Sequence, residues 1–283
     1  MRRENEEQAE FWTKAAGEKW VEQQVQLDAF MQPVLDSLFT RCDLKNGDHV
    51  LDIGCGTGAS TIQAANTVGA TGSVFGVDIS PTMLACAKER AHSLENVRFE
   101  VADAADYGFR LGEFDHLISR FGVMFFADPI AAFSNIFKSL KPGAHLTMAC
   151  WGQISKNPWF TVAAQAAKER LGAPPSVDPD APGPFAFRDV DRVVQILSSA
   201  GFVEIQADVS DVFLEPAGTP SEVAQMATSV GPAARTVEIF QGNFADSQAI
   251  ANRVQEVFQS FDTQSGVRVP AEINFFQATR STS

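Results

Sequence analysis

The 283-residue chain has a single tyrosine, Tyr107, beside 23 phenylalanines, so phenolic acid–base groups are almost missing. Tyr107 is followed by Gly108-Phe109-Arg110-Leu111, which leaves no Tyr-x-x-x-Lys proton-relay pair. Cysteine is scarce: Cys42, Cys55, Cys86 and Cys150 are scattered without a CxxC pair. That excludes a zinc or disulfide framework and suits buried thiols in a reducing cytoplasm. No run of 18 apolar residues occurs, so no transmembrane helix is expected. The charged start Met1-Arg2-Arg3-Glu4-Asn5-Glu6-Glu7 has no apolar stretch after it and reads as no secretory signal. Positive charge is in deficit, with 22 Lys and Arg against 35 Asp and Glu and a net charge of −13, which disfavours nucleic acid as a partner. HExxH, GxSxG and GxxxxGK[ST] are absent, so metal-dependent proteolysis, serine hydrolysis and P-loop chemistry lack support, and no metal is expected. Histidine offers little: His49 and His116 lie within strand patterns, His145 starts one, and His92 lies near a helix end. His116 reads as a satisfied sheet histidine, and no catalytic base is assigned.

What is there suffices for a sizeable core: 45% of residues are apolar. Val25, Leu27, Phe30, Met31, Val34, Leu35, Leu38 and Phe39 form a helical stripe in the N-terminal segment. From 48 to 151, strand patterns (49–53, 74–77, 97–101, 114–118, 144–151) alternate with helix patterns (59–68, 81–94, 129–140). Ser80-Pro81 supplies an N-cap and N1 proline for the second of these helices. The alternation predicts a parallel sheet covered by helices on both faces. Pro and Gly crowd 173–187 as a loop; 189–200 is a helix and 203–209 a strand. Helices and loops are expected over 211–265, with helix patterns at 221–229 and 247–261, and 267–278 is extended.

The most informative segment is Val50-Leu51-Asp52-Ile53-Gly54-Cys55-Gly56-Thr57-Gly58. A strand runs into a glycine turn, and a helix follows whose first N–H groups are free to meet a ligand. Asp78 ends the second strand, twenty residues after Gly58, where a carboxylate accepts hydrogen bonds from ribose hydroxyls. Asp103 ends the third strand. Asp52 is expected to brace the loop by binding its amides, and Cys55 to pack. Gly54-x-Gly56-x-x-Ala59 also satisfies the dinucleotide pattern, so a nicotinamide-dependent oxidoreductase stands as an alternative.

The glycine segment resembles motif I of class I S-adenosylmethionine (SAM)-dependent methyltransferases. Val77-Asp78-Ile79-Ser80 and Val101-Ala102-Asp103-Ala104 resemble the family's next two motifs, Phe114 to Phe121 its fourth-strand motif, and Leu140-Lys141-Pro142-Gly143 the turn before its fifth strand. Phe121-Gly122-Val123-Met124-Phe125-Phe126, Asn157-Pro158-Trp159 and Gly183-Pro184-Phe185-Ala186-Phe187 are similar to the ubiquinone/menaquinone-biosynthesis methyltransferase branch. The resemblance implies a three-layer, Rossmann-like α/β fold with a mostly parallel seven-stranded sheet in the order 3-2-1-4-5-7-6. It implies one domain over 1–283: an N-terminal helical cap (1–45), a SAM-binding core (46–151), a substrate-side loop, helix and strand 6 (152–210), a helical insertion expected to act as a lid (211–265) and a last strand (266–283).

The resemblance also implies residue roles. Gly54, Cys55 and Gly56 would pass beneath the methionine part of SAM, and Asp78 would take both ribose hydroxyls. Ile79 would pack on the adenine, Asp103 would accept from its amino group, and Ala104 would lie beside it. Ser119 and Arg120 would face the methionine moiety and the acceptor, Phe121, Met124 and Trp12 would meet the acceptor, and the N-terminal segment that carries Trp12 and Trp20 would fold over the cofactor. The implied function is methyl transfer from SAM, leaving S-adenosylhomocysteine (SAH), to a small apolar or aromatic molecule, by a cytoplasmic monomer or homodimer. A SAM-binding protein without transferase activity is the remaining alternative.

Overall fold

The computed structural model describes residues 3–282; residues 1, 2 and 283, the outermost positions of the expected cap and last strand, lie outside the described residues. The N-terminal segment folds as α1 (Arg3–Thr13), α2 (Ala15–Glu22) and α3 (Gln24–Cys42). The core follows as β1 (His49–Ile53), α4 (Ala59–Val68), β2 (Ser73–Asp78), α5 (Pro81–Arg90), β3 (Val97–Val101), β4 (Phe114–Arg120), α6 (Pro129–Ser139) and β5 (Leu140–Trp151). Then come α7 (Pro158–Leu171), α8 (Val190–Ser199), β6 (Phe202–Leu214), α9 (Pro220–Ser229), α10 (Pro232–Ile239), α11 (Phe244–Phe258), a hairpin of β7 (Asp262–Thr263) and β8 (Gly266–Val267), and β9 (Val269–Arg280).

The main sheet has the order β3-β2-β1-β4-β5-β9-β6, in which β9 is the expected seventh strand. β1 to β5 pair in parallel, and β9 runs antiparallel to both neighbours. Helical layers bury β1 from Val50 to Ile53 without alternation, as a sheet covered on both faces requires. The registers Ile53↔Val77 and Asp78↔Val101 bring the ends of β1, β2 and β3 to one edge, where the glycine loop and both acidic turns emerge.

Local signals explain the helix starts. Ser80 Oγ caps α5 by accepting from Met83 N at 3.2 Å, with Pro81 at the first helical position. Asp128 and Asp189 cap α6 and α8 in the same way. Thr219 with Glu222 and Asn243 with Asp246 form capping boxes at α9 and α11.

The structure departs from the sequence expectation in four places. The cap breaks at Lys14, whose φ of −92° and ψ of −132° are not helical, and again at Gln23. The stretch 158–171, read as part of a loop, is α7, held by its buried face of Trp159, Phe160, Ala163, Ala166 and Ala167. β6 continues to Leu214; as an edge strand it exposes most of its side chains, Val203 and Val209 of its alternating apolar residues among them. α10 and the β7–β8 hairpin were not anticipated, and α10 starts at the turn signal Gly231-Pro232.

Candidate functional site

The glycine loop is locked to β2 through its own amides. Gly54 N and Cys55 N both donate to Val77 O, at 2.8 and 3.2 Å, and Gly56 N donates to Asp78 Oδ2 at 2.8 Å. These three amides are therefore spent on the protein, and the loop is a rigid floor rather than a row of free donors. Gly54 and Gly56 have φ of +66° and +55°. A Cβ at Gly54 would lie 2.4 Å from Gly122 Cα, and one at Gly56 2.8 Å from Met83 Cε, so both positions need the missing side chain. Cys55 is buried against Leu84, Ala87 and Phe99, and burial pushes its thiol well up, which leaves it inert. Asp52 does not bind the loop amides as expected. It accepts instead from Ser60 Oγ at 2.7 Å and Thr61 Oγ1 at 2.6 Å, bracing the first turn of α4.

Asp78 and Asp103 meet at the same edge of the sheet, 8% and 6% exposed. Asp78 Oδ1 accepts from Ser80 N at 2.8 Å. Burial raises the Asp78 carboxyl, and the N–H groups of Ser80, Gly56 and Ile79 pull it back. Asp103 accepts from Ala105 N at 2.9 Å and from the carboxamide of Asn5 on α1. Ile79 is half-buried between the two turns, and Ala104 is buried, its carbonyl accepting from Asn135 at 3.1 Å. Helix α1 covers this edge: Ser80 Oγ donates to Trp12 O at 2.7 Å and Thr82 Oγ1 to Thr13 O at 2.8 Å. The Trp12 ring meets Phe125 and Trp20 edge-on, at 5.1 and 5.8 Å.

Beyond β4, the expected residues separate. Ser119 is fully buried and donates to Ile53 O at 2.8 Å, tying β4 to β1. Met124 is also core, 1% exposed. Arg120 enters an ionic cluster that the sequence reading missed. Its Nη2 lies 3.8 Å from Asp28 Oδ1, and Asp28 Oδ2 also accepts from Arg90 at 2.7 Å. Arg90 in turn donates to Thr57 O in the glycine loop at 2.6 Å. The Arg120 side chain is 9% exposed, its Nη1 has no hydrogen-bond partner, and burial lowers its pKa against the pull of Asp28 and Asp52. A buried guanidinium with an unused donor has the chemistry to pair with an anionic oxygen. Asp28 was legible in principle: a carboxylate one residue from Leu27, inside the buried stripe of α3, needs a partner. A groove of about 430 Å³ between α3 and α4 has Asp28 and Arg90 on its wall but none of the loop glycines.

A buried aromatic cluster extends from Phe121, just after β4. Phe121 stacks on Trp151 at 4.4 Å, Trp151 meets Phe160 at 4.9 Å, and Phe160 meets Phe185 at 5.0 Å. The sequence reading had Phe121 but not Trp151 or Phe160. His116 lies away from this edge, 3.2 Å from Asp48 at the opposite end of β1, and burial lowers its pKa. Among the described residues there is no cluster of His, Cys, Asp and Glu that could hold a metal, and no helix long and apolar enough to cross a membrane.

A parallel sheet with a glycine turn after β1 and buried carboxylates after β2 and β3 defines a nucleotide-binding α/β domain. Residues 44–173 match the family model described as a methyltransferase domain. With its motif and topology, this segment belongs to the class I SAM-dependent methyltransferase family. The chain is 30% identical over 171 residues to phosphoethanolamine N-methyltransferase 2 of Caenorhabditis elegans, a match covering 59% of this chain and 35% of that protein. It is 38% identical over 100 residues to demethylmenaquinone methyltransferase of Staphylococcus aureus, covering 35% and 42%. The chain thus spans less than half the length of these curated relatives. Phosphoethanolamine N-methyltransferase 2 of Haemonchus contortus, solved with phosphomonomethylethanolamine and SAH, shares the fold at a TM-score of 0.54 and 23% identity, over 88% of this chain and 52% of that one.

Proposed function

We propose that the chain transfers a methyl group from SAM to a small-molecule acceptor. The observation that carries the reading is the bond from Gly56 N to Asp78 Oδ2, which places a buried carboxylate directly against the glycine floor. The residues fit the group by their own chemistry. Asp78 retains lone pairs for the two ribose hydroxyls, Asp103 suits an exocyclic amine, and the unpartnered Arg120 Nη1 suits a carboxylate. SAM, when bound, supplies a methyl group already activated on a sulfonium. The protein's part is to fix the donor from three sides and to hold the acceptor in line while excluding water. Phe121, Trp151 and Phe160 offer an apolar, electron-rich wall for that space, which suits a cationic methyl donor and a flat or apolar acceptor.

Acceptor selection is assigned to α9–α11. Gln23 Nε2 donates to Ser229 Oγ at 3.0 Å and Lys19 Nζ to Ser229 O at 3.3 Å, joining the end of α9 to the N-terminal cap. Limited proteolysis with and without SAM tests whether this insertion closes; equal cleavage within 215–261 in both conditions counts against it. The four cysteines are free, which supports a reducing, cytoplasmic setting.

Calorimetric titration with SAM, SAH and NAD, with Asp78→Ala as control, tests the cofactor. The expected result is micromolar SAM or SAH binding that the substitution abolishes. NAD binding without SAM binding would overturn the reading and restore the oxidoreductase alternative.

A further inference from the structure

One face of α1 lies along the carboxylate edge of the sheet. Asn5, Gln8 and Trp12 fall at i, i+3 and i+7 and share that face. The two ends of the helix are held differently. At the C-terminal end, two hydroxyl bonds to Trp12 O and Thr13 O and the Trp12–Phe125 contact fasten it to α5 and the β4 turn. In the N-terminal half, the described hold is the Asn5 carboxamide donating to Asp103 Oδ2, with both residues buried.

On the reading above, that carboxylate receives the exocyclic amine of adenine. A carboxamide NH2 and a purine amine are the same kind of donor: planar, conjugated and neutral. We propose that Asn5 stands in for the adenine amine on Asp103, so that docked α1 and bound cofactor exclude each other and α1 swings about Lys14 when the cofactor enters. The inference rests on Asp103 being the adenine acceptor.

Three observations support a releasable docking. Lys14 breaks the helix between α1 and α2, giving the swing a pivot beside the fastened end. Asn5-Glu6-Glu7-Gln8-Ala9-Glu10 has no large apolar side chain, so hydrophobic burial does not hold this half down. Gln8 Oε1 is buried with no hydrogen-bond partner, which weakens the docked state. The consequence is a conformational tax: apparent cofactor affinity falls in proportion to the fraction of molecules with α1 undocked.

The test uses the full chain. SAH is titrated calorimetrically into wild type, Asn5→Ala, Asn5→Asp and Asn5→Ala/Asp103→Ala, and hydrogen exchange of residues 3–13 is followed with and without saturating SAH. Asn5→Ala is expected to bind SAH about tenfold tighter if roughly one wild-type molecule in ten is undocked. Asn5→Asp sets a carboxylate against Asp103 and is expected to tighten binding as well. Adding Asp103→Ala to Asn5→Ala is expected to weaken binding relative to Asn5→Ala alone, and SAH to speed exchange in wild-type α1. Unchanged or weaker binding by both Asn5 variants, or slower α1 exchange with SAH, overturns the inference while leaving the cofactor reading intact. Binding by Asn5→Ala/Asp103→Ala equal to that by Asn5→Ala removes the adenine role of Asp103 and the inference with it.

Discussion

The Phe121 ring lies flat on the Trp151 indole, centroids 4.4 Å apart and planes 4° apart, while the Phe121 backbone sits at a φ of +64°. A bulky residue in the left-handed region is strained by about 1–3 kcal/mol and persists where its surroundings over-determine it. Here the stack and the bond from Phe121 N to Ala149 O at 2.9 Å do so. The strain turns the chain sharply out of β4, just beside Arg120 and the glycine loop.

This strain predicts an inverted substitution order. Phe121→Ala and Phe121→Gly both lose the stack and the buried ring. Glycine also relieves the backbone, so Phe121→Gly is expected to be more stable than Phe121→Ala by about 1 kcal/mol in urea unfolding, the reverse of an ordinary helix or strand site. An alanine variant as stable as the glycine variant would show that the positive φ stores no strain.

The loop glycines predict a second ordering. A methyl group at Gly54 meets the Gly122 backbone, which cannot yield, whereas one at Gly56 meets the flexible end of Met83. Both alanine variants bear a positive-φ penalty of about 1 kcal/mol or more. Gly54→Ala is expected to be the less stable by a further 1–2 kcal/mol or so, as is typical of overpacking. Gly56→Ala should stay folded and lose SAH affinity, because relief of its φ of +55° turns the amide that fixes the Asp78 carboxylate. Thermal unfolding and SAH calorimetry on the two variants separate the effects.

Much of this was legible because the core elements are locally consistent. Short apolar strands, caps at Ser80 and glycines after β1 all point to one architecture, and the ends of β2 and β3 place Asp78 and Asp103 directly. What could not be read is long-range or depends on partners. Asn5 carries no signal in a charged helix, because its partner lies 98 residues away. Ser119 reads by position as a residue at the end of β4, and its hydroxyl bond to Ile53 O, 66 residues away, carries no sequence signal. Asp52 looks like a loop brace, yet its carboxylate turns to the hydroxyls of α4, a matter of side-chain direction that spacing does not give. Trp151 and Phe160 meet edge-on at 4.9 Å only in the folded chain, and α7 was hidden by a face that is mostly alanine after Phe160.

Asp52 predicts a pH effect on stability. Complete burial raises its carboxyl from 3.8 to about 6, against the opposing hydrogen bonds of Thr61 and Ser60. Between about pH 4 and 6 the folded chain therefore holds a proton that the unfolded chain has released. This contribution to stability is fully present below pH 4 and is lost as pH rises towards 6, at most about 3 kcal/mol in all. Asp52→Asn keeps an acceptor for the two hydroxyls and removes the titration. Its stability relative to wild type should climb across that window and level off above pH 6.5. A difference that stays flat from pH 4 to 7 would mean that Asp52 is ionised in the folded chain throughout.

Arg120 gives the most selective test of how the cofactor is held. Two guanidinium groups, Arg120 and Arg90, share the single carboxylate of Asp28, and Arg90 has the closer contact, 2.7 Å against 3.8 Å. Removing Arg120 thus leaves Asp28 paired, while removing Arg90 would not leave it paired so well. If Arg120 Nη1 seats the methionyl carboxylate, Arg120→Met should weaken SAH binding about tenfold to a hundredfold, the loss of one buried charge-assisted hydrogen bond. Methylthioadenosine has the same nucleoside and thioether but no carboxylate, so its affinity should be the same for both proteins. Equal losses for the two ligands would instead mean that Arg120 shapes the glycine floor through Asp28, Arg90 and Thr57 O. Asp78→Ala must lower both affinities together, because the ribose is common to both ligands.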